Sequence, residues 1–288
     1  MAEDHRRWWR RDLQGLPTTN IVVQPRNRGT ANGILLQILH VAKLDPQAEV
    51  VLLPSDHFVV AEDVLAHAIR QALVHVRTAP RQVILMGMVP GSPDPDLGYI
   101  LPGSPDGQGT LAVQCFVEKP ARADAEALVE RGALWNAFIL VASCGALLDL
   151  FSRAMPDVFT SMRDCLNCGR NRSLALSSLY QRLPVSDFSC HVLMRTEWPV
   201  LRVAPVPECG WSDLGTPARL GHALARGPRL GRDKPQGSAR VAASLDLAVN
   251  YQRAMSVAAV DVHACDTWPP ALAHHRLHDA ALARPRET

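Results

Sequence analysis

Short apolar runs rich in β-branched residues alternate with longer amphipathic stretches along most of this chain. Residues 20–23, 50–53, 83–86 and 113–117 are typical of buried strands. Residues 61–76 place their apolar side chains on one face at helical spacing. Thr30 is well placed to cap a helix that runs to about Lys43. This alternation predicts an α/β fold with a Rossmann-like, mixed and mostly parallel sheet flanked by helices.

Composition narrows the class of protein. The chain has 288 residues, of which 47% are hydrophobic and 20% charged, which is typical of a globular protein with a substantial core. A formal net charge of +2 gives no sign of a nucleic-acid partner. The seven cysteines are scattered, and the basic N-terminus has no apolar core that would make it a signal peptide. The longest uncharged stretch, residues 132–148, is too short to span a membrane. We therefore expect a cytoplasmic protein without nucleic-acid or membrane partners, and a homodimer stays open.

The chain changes in composition after about Gly227, where Arg, Pro, Ala and His become frequent. This change predicts one domain over residues 1–226 and a tail over 227–288. We expect the tail to be poorly ordered, with a helix around residues 241–255.

Polar residues follow several of the predicted strands, which is where α/β sheets bind ligands. Asp56 follows the second run, and its alternatives are a metal ligand or a helix N-cap. Asp213 follows a late apolar run and is either a metal ligand or a turn residue. Two carboxylates that meet at one sheet edge can hold Mg²⁺, which prefers oxygen ligands and bridges to phosphates.

Four other features of the sequence give weaker signals of a functional site. Lys119 is one of only three lysines in the chain, and its alternatives are a phosphate contact or a solvated surface residue. Arg28, next to Gly29, resembles a strand-to-helix turn that binds anions. Cys165 and Cys168 have CxxC spacing, but a single such pair is a poor zinc signal. Asp94 and Asp96 have the DxD spacing of metal-dependent glycosyltransferases, although their proline-rich setting favours an ordinary loop.

Six motifs taken together resemble the sugar-phosphate nucleotidyltransferases, and within that family the mannose-1-phosphate guanylyltransferases most of all. They occur in the family's order over about residues 18–225, and each alone is modest. They are QPRNRGTA at 24–31, LPSDH at 53–57, GYI at 98–100, FVEKP at 116–120, WN at 135–136 and GWSDLGT at 210–216.

The resemblance implies a nucleotide-diphospho-sugar transferase fold and a reaction between GTP and mannose 1-phosphate. The products would be GDP-mannose and pyrophosphate, with Mg²⁺ as cofactor. It implies catalytic roles for Asp56, Lys119 and Asp213, the two aspartates holding the metal. The substrate-binding residues that it implies are Pro25, Arg28, Gly29 and Thr30 around the nucleotide, and Gly98, Glu118 and Asn136 around the sugar.

The sequence departs from the family in one large respect. The family opens with a strand and a Gly-rich loop that wraps the triphosphate, and no segment before Gln24 resembles that loop. We therefore expect an N-terminally truncated domain with little or no pyrophosphorylase activity as given. The alternatives are a non-catalytic paralogue that binds a nucleotide sugar and regulates a partner and, more distantly, a glycosyltransferase.

Overall fold

The computed structural model describes residues 1–196 and 200–226. The predicted tail and its helix around residues 241–255 lie outside the described residues, so the predicted domain boundary at residue 226 stays a prediction.

Six strands of the described chain form one sheet. They are β1 (Glu49–Leu52), β2 (Val83–Met88), β3 (Gly98–Pro105), β4 (Leu111–Val117), β5 (Leu134–Ser143) and β6 (Leu201–Val206). The α-helices are α1 (Arg6–Asp12), α2 (Gly29–Leu44), α3 (Glu62–Thr78), α4 (Arg122–Glu130), α5 (Cys144–Ala154), α6 (Pro156–Leu166), α7 (Arg172–Arg182), α8 (Phe188–His191) and α9 (Pro217–Arg226). The α/β prediction is confirmed.

The sheet is mixed, with the order β1-β5-β2-β6-β4-β3 and a further pairing between β3 and β5. Strands β1, β2, β3 and β6 run in one direction, and β4 and β5 run against them. Most strands therefore share a direction, as predicted, but β2–β6 is the one parallel neighbour pair among the described strands. The reason is that β5 lies antiparallel between β1 and β2, and β4 lies antiparallel between β6 and β3.

Both faces of the sheet are covered, which explains why the strands lack a polar face. Along β2, Val83 and Leu85 pack on one side, in a core shared with α2 and α5. Ile84 and Met86 pack on the other side, in a core shared with α3. Ligand access is therefore confined to the ends of the strands.

Two local predictions are wrong. Residues 20–23 do not form a strand, because the segment makes a single bridge, Gln24 with Ala2, before Pro25 and the turn into α2. Thr30 does not cap α2, which begins one residue earlier, with Arg28 at the N-cap position and no side-chain cap. The Thr30 hydroxyl accepts a hydrogen bond from the Phe188 N–H instead.

Candidate functional site

A cavity of about 350 Å³ lies where the strand ends meet. We call it the central cavity. It is lined by all six residues that the sequence places around the metal and the sugar: Asp56, Gly98, Glu118, Lys119, Asn136 and Asp213. These residues are far apart in the sequence, and the structure brings them together at one place.

Asp56 and Asp213 reach the same cavity because their segments pair with each other. The Phe58 N–H donates to the Ser212 carbonyl at 2.8 Å, and the Ser212 N–H donates back to the Phe58 carbonyl at 2.9 Å. This isolated bridge holds the segment after β1 against the turn after β6. This contact brings two aspartates that are distant in the sequence to the same cavity. Asp56 is not the N-cap of α3, because that helix begins at Glu62.

His57 lies between these carboxylates. The Trp211 Nε1–H donates to His57 Nδ1 at 3.1 Å, which leaves the imidazole proton on Nε2. His57 Nε2 lies 4.0 Å from Asp56 Oδ1. Burial lowers the pKa of His57, and this outweighs the opposite effect of Asp56 and Asp213. His57 is therefore neutral at pH 7 and does not balance the negative charge of its neighbours.

Glu118 is the most perturbed acid of the central cavity. Burial and the charge of Asp187 raise its pKa to about 7, against the opposing effects of Lys119 and a hydrogen bond from Ser189. Its Oε2 atom is buried and has no hydrogen-bond partner among the described residues. A Cβ on Gly98 would lie 2.5 Å from that oxygen, so a side chain there would displace the Glu118 carboxylate. A buried oxygen without a partner is costly unless a ligand supplies a donor.

Backbone strain is concentrated at this place. Three non-glycine residues of the described chain have positive φ: Lys119 (46°), Phe138 (55°) and Leu214 (55°). Lys119 and Phe138 line the central cavity, and Leu214 follows Asp213 directly. Such conformations cost roughly 1–3 kcal/mol each and cluster at functional sites.

The central cavity has a surplus of negative charge. Five acidic side chains line it, Asp56, Asp96, Glu118, Asp187 and Asp213, against two cationic ones, Lys119 and Arg219. Oxygen donors in this excess attract a hard cation such as Mg²⁺, and a phosphate would be repelled without one. Within the described chain, no group of three or more His, Cys, Asp or Glu residues is arranged as a complete metal site. Asp56 and Asp213 can therefore supply only part of a coordination shell, which suits Mg²⁺ because it keeps waters and phosphate oxygens as ligands.

The Gln24–Thr30 turn does not line the central cavity. The Arg28 guanidinium donates to the carbonyls of Tyr180 and Gln181, at 2.8 and 2.9 Å. Gly29 has a φ of +83°, and a Cβ there would overlap the backbone of Ser186. Pro25 is half-buried beside them. These contacts serve the fold, and the nucleotide role that the family resemblance implies for the turn stays a prediction.

Two backbone N–H groups at the start of α2 already have partners in the protein. The Gly29 N–H donates to Asn27 Oδ1 at 3.0 Å, and the Ala31 N–H donates to the Ser186 carbonyl at 2.9 Å. The Thr30 hydroxyl donates to Asp187 Oδ2 at 3.0 Å. Since Asp187 lines the central cavity, Thr30 is connected to the cavity through that carboxylate.

Sequence reasoning missed Arg219, Asp187 and Asp96. Arg219 Nη1 donates to Asp94 Oδ2 at 2.8 Å, and its Nε lies 3.0 Å from Asp213 Oδ1. Arg219 also borders a second cavity of about 400 Å³, so its side chain lies between the two. The sequence signal for Asp96 was its DxD spacing with Asp94, but the proline-rich context of the two residues favours an ordinary loop.

Two further observations concern the length of the helices and the state of the CxxC cysteines. None of the helices within residues 1–196 and 200–226 is long and apolar enough to cross a membrane. Cys165 and Cys168 are free thiols.

Comparisons with known proteins identify relatives of this chain. A mannose-1-phosphate guanylyltransferase of Sinorhizobium fredii (strain NBRC 101917 / NGR234) is 27% identical over 209 residues, which cover 70% of this chain and 40% of that protein. The enzyme of the same name from Escherichia coli (strain K12) is 28% identical over 209 residues, covering 69% of this chain and 43% of its own length. The chain thus spans less than half the length of these relatives.

Solved structures share the fold. A crystal structure described as mannose-1-phosphate geranyltransferase from Thermus thermophilus matches with a TM-score of 0.67 at 24% identity, over 79% of this chain and 64% of that one. One described as mannose-6-phosphate isomerase from Helicobacter pylori matches with a TM-score of 0.56 at 19% identity, over 74% of this chain and 82% of that one. The family model described as nucleotidyl transferase matches residues 2–226. The chain therefore belongs to the nucleotidyl transferase family.

Proposed function

We propose that the central cavity binds a nucleotide sugar, and that its chemistry is the transfer of a guanylyl group from GTP to mannose 1-phosphate. The observation that carries this proposal is the convergence of Asp56, Gly98, Glu118, Lys119, Asn136 and Asp213 in one cavity. The relatives named mannose-1-phosphate guanylyltransferase support the choice of base and sugar. In this reaction a phosphate oxygen of mannose 1-phosphate attacks the α-phosphorus of GTP, and pyrophosphate leaves.

The residues of the sugar half have distinct tasks in this proposal. Glu118 Oε2 accepts a hydrogen bond from a sugar hydroxyl, which would satisfy this buried oxygen, and the Asn136 amide donates one. The Lys119 ammonium, exposed at the cavity, contacts the sugar phosphate as a compact charge. Gly98 leaves the space in which Glu118 reaches the ligand.

Asp56 and Asp213 would hold Mg²⁺ at the central cavity. When bound, the ion neutralises the charge of the phosphates and helps to align them, which is most of what phosphoryl transfer requires. The fit rests on the surplus of carboxylates and on Arg219, whose guanidinium shows that the position beside Asp213 accepts positive charge.

A second candidate is a non-catalytic relative that binds the nucleotide sugar and regulates a partner. It is favoured by the small number of cations at the central cavity, where the described residues supply only Lys119 and Arg219 to a triphosphate. Loss of a single preorganised donor commonly costs about 3–4 kcal/mol in the transition state. We therefore expect residues 1–288 to bind GDP-mannose but to turn over far below the ordinary rate of about 10 s⁻¹.

Two measurements on residues 1–288 test the proposal and separate its two forms. Pyrophosphate release is followed with GTP, mannose 1-phosphate and Mg²⁺, and GDP-mannose binding is measured by equilibrium dialysis. Binding with slow or absent release supports the cavity assignment and the regulatory form. Release near about 1 s⁻¹ or above supports the enzyme. Absence of both binding and release would contradict the proposal.

A further inference from the structure

Arg219 forms an unbalanced cluster beside the candidate metal ligands. Its Nε lies 3.0 Å from Asp213 Oδ1, its Nη1 lies 2.8 Å from Asp94 Oδ2, and its Nη2 lies 3.9 Å from Asp96 Oδ2. One guanidinium therefore faces three carboxylates. The Arg219 side chain is 18% exposed, so the cluster is at the cavity wall rather than on the open surface.

The turn that carries Asp213 brings the Asp213 and Arg219 side chains together. The Thr216 hydroxyl accepts a hydrogen bond from the Arg219 N–H at the start of α9, and side chains of a helix lean toward its N-terminus. A Cβ on Gly215 would lie 2.9 Å from Asp213 Oδ2 and 3.1 Å from Arg219 Nη2. The absent Cβ of Gly215 thus leaves the space in which the two side chains meet.

Asp94 fixes the other side of the guanidinium. The Asp94 N–H donates to the Tyr99 hydroxyl at 2.8 Å, and that hydroxyl donates to the Asp94 carbonyl at 3.0 Å. Tyr99 is fully buried. These two bonds hold the backbone of Asp94, whose carboxylate gives Arg219 a second partner besides Asp213.

Asp213 Oδ1 accepts a hydrogen bond from the Gly215 N–H at 3.1 Å and forms an ion pair with Arg219 Nε, which makes no hydrogen bond within the described residues. Mg²⁺ binds carboxylate oxygens directly at about 2.1 Å. A divalent cation at that oxygen and a guanidinium 3.0 Å from it repel each other, so the two compete for one carboxylate.

We propose that Arg219 is an internal counter-ion of Asp213 that competes with the divalent cation. Binding of the cation and release of the Arg219–Asp213 ion pair are then one event, while Asp94 keeps the guanidinium at the cavity wall. The inference rests on the assignment of Asp213 as a metal ligand in the proposed function. It makes Arg219 a positioning residue that sets how much cation the site takes up before nucleotide arrives.

The test is Mn²⁺ binding, measured by electron paramagnetic resonance on the full chain without nucleotide. Arg219→Gln removes the competitor and is expected to tighten Mn²⁺ binding by about fivefold, at the low end of ordinary coupling between two binding events. Arg153→Gln is the matched control, because it removes the same charge from an exposed ion pair with Asp149 on α5. It should leave Mn²⁺ affinity unchanged.

The sign of the effect separates competition from a structural role, because damage to the fold lowers affinity. The second variant is Arg219→Gln combined with Asp213→Asn, in which the gain should disappear. A gain that needs Asp213 supports the inference. No gain, with Mn²⁺ binding that is still weakened by Asp213→Asn, overturns the inference and leaves the metal assignment standing. Mn²⁺ binding that is absent, or that ignores Asp213→Asn, overturns both.

Discussion

Two arginine–carboxylate clusters of this chain differ in how well their charges are matched. Arg202 lies at the start of β6 and pairs at 2.9 Å with Asp106, which follows the last residue of β3. Its Nε and Nη2 also donate to the hydroxyl and carbonyl of Thr110, at 3.1 and 3.2 Å. This cluster sets one arginine against one carboxylate, with His75 Nδ1 3.8 Å from the same carboxylate oxygen, and the hydrogen bonds of the turn complete it.

The Arg219 cluster lies after the other end of β6 and shares its guanidinium among Asp94, Asp96 and Asp213. It opens onto the central cavity, where carboxylates outnumber cations. We infer from this difference that the balanced cluster stabilises the fold, whereas the unbalanced one retains affinity for a cation or ligand. Variants at the two clusters should therefore affect different measurements.

The largest expected difference is in stability. Arg202→Ala removes a buried guanidinium, and with it the ion pair to Asp106 and a donor to the Thr110 hydroxyl, so it should lower the free energy of unfolding by about 2 kcal/mol. Arg219→Ala should cost less than about 1 kcal/mol, because its partners face the solvent of the cavity. Urea unfolding at pH 7 measures both, and equal losses would contradict the comparison.

The second expected effect is a loss of stability in acid at the Arg202–Asp106 cluster. Burial of Asp106 would raise its pKa, but hydrogen bonds from Thr110 and Gln108, with the charge of Arg202, outweigh burial and lower the pKa to about 2. A carboxyl with a lowered folded pKa contributes stability that is present above its unfolded pKa and lost as the pH falls through the folded one. Because solvent screens this carboxylate, we expect a loss of at most about 1 kcal/mol between about pH 4 and pH 2.

Asp106→Asn tests this source of acid sensitivity, since it removes the titrating group. Thermal unfolding of the variant should depend less on pH in that range than unfolding of the wild type. An identical pH dependence in the two proteins would show that other carboxylates account for the acid sensitivity.

The affinity of the central cavity for its ligand should depend on pH. Because burial raises the pKa of Glu118 to about 7, its ionised fraction grows through neutral pH. The affinity for GDP-mannose should therefore rise by about five- to tenfold from about pH 6 to pH 8. Glu118→Gln should abolish this dependence and, at pH 8, weaken binding by about tenfold. Calorimetry at the two pH values measures both, and a wild-type affinity that does not change with pH would refute the assignment of Glu118 to the sugar.

The smallest expected effect is at His57. Trp211→Phe removes the N–H that donates to His57 Nδ1 and should cost about 0.5–1 kcal/mol of stability. The imidazole nitrogens of His57, observed by ¹⁵N NMR, should lose the preference for the Nε2–H tautomer. An unchanged tautomer would mean that Asp56, not Trp211, orients the ring.

Sequence patterns predicted the strands that are rich in apolar residues, since β1, β2, β4 and β6 are mostly continuous apolar runs. They missed β3, which contains Pro102, Gly103 and Pro105, residues that are typical of turns. They also missed β5, which is long and interrupted by Asn136. The apolar run at residues 20–23 resembles a strand, but it finds a partner only in the single bridge between Gln24 and Ala2.

The site was predicted in part on both its acidic and its basic side. The family resemblance indicated Asp56, Glu118 and Asp213, and the two aspartates were also candidates because each follows an apolar run. Arg219 could not be singled out, because most basic residues of this chain are arginines and an isolated one carries little information. Its importance depends on a contact with Asp94, 125 positions earlier, that only the folded chain reveals.

The measurement that tests the central claim most directly is GDP-mannose binding to a matched pair of variants. Asp213→Asn and Asp106→Asn remove the same charge from the two clusters, and calorimetry is carried out at pH 8 with Mg²⁺. We predict that Asp213→Asn loses at least about tenfold in affinity, as expected when a phosphate-bridging cation loses a ligand. Asp106→Asn should bind like the wild type. Equal affinities in the two variants, or a loss confined to Asp106→Asn, would contradict the assignment of the nucleotide sugar to the central cavity.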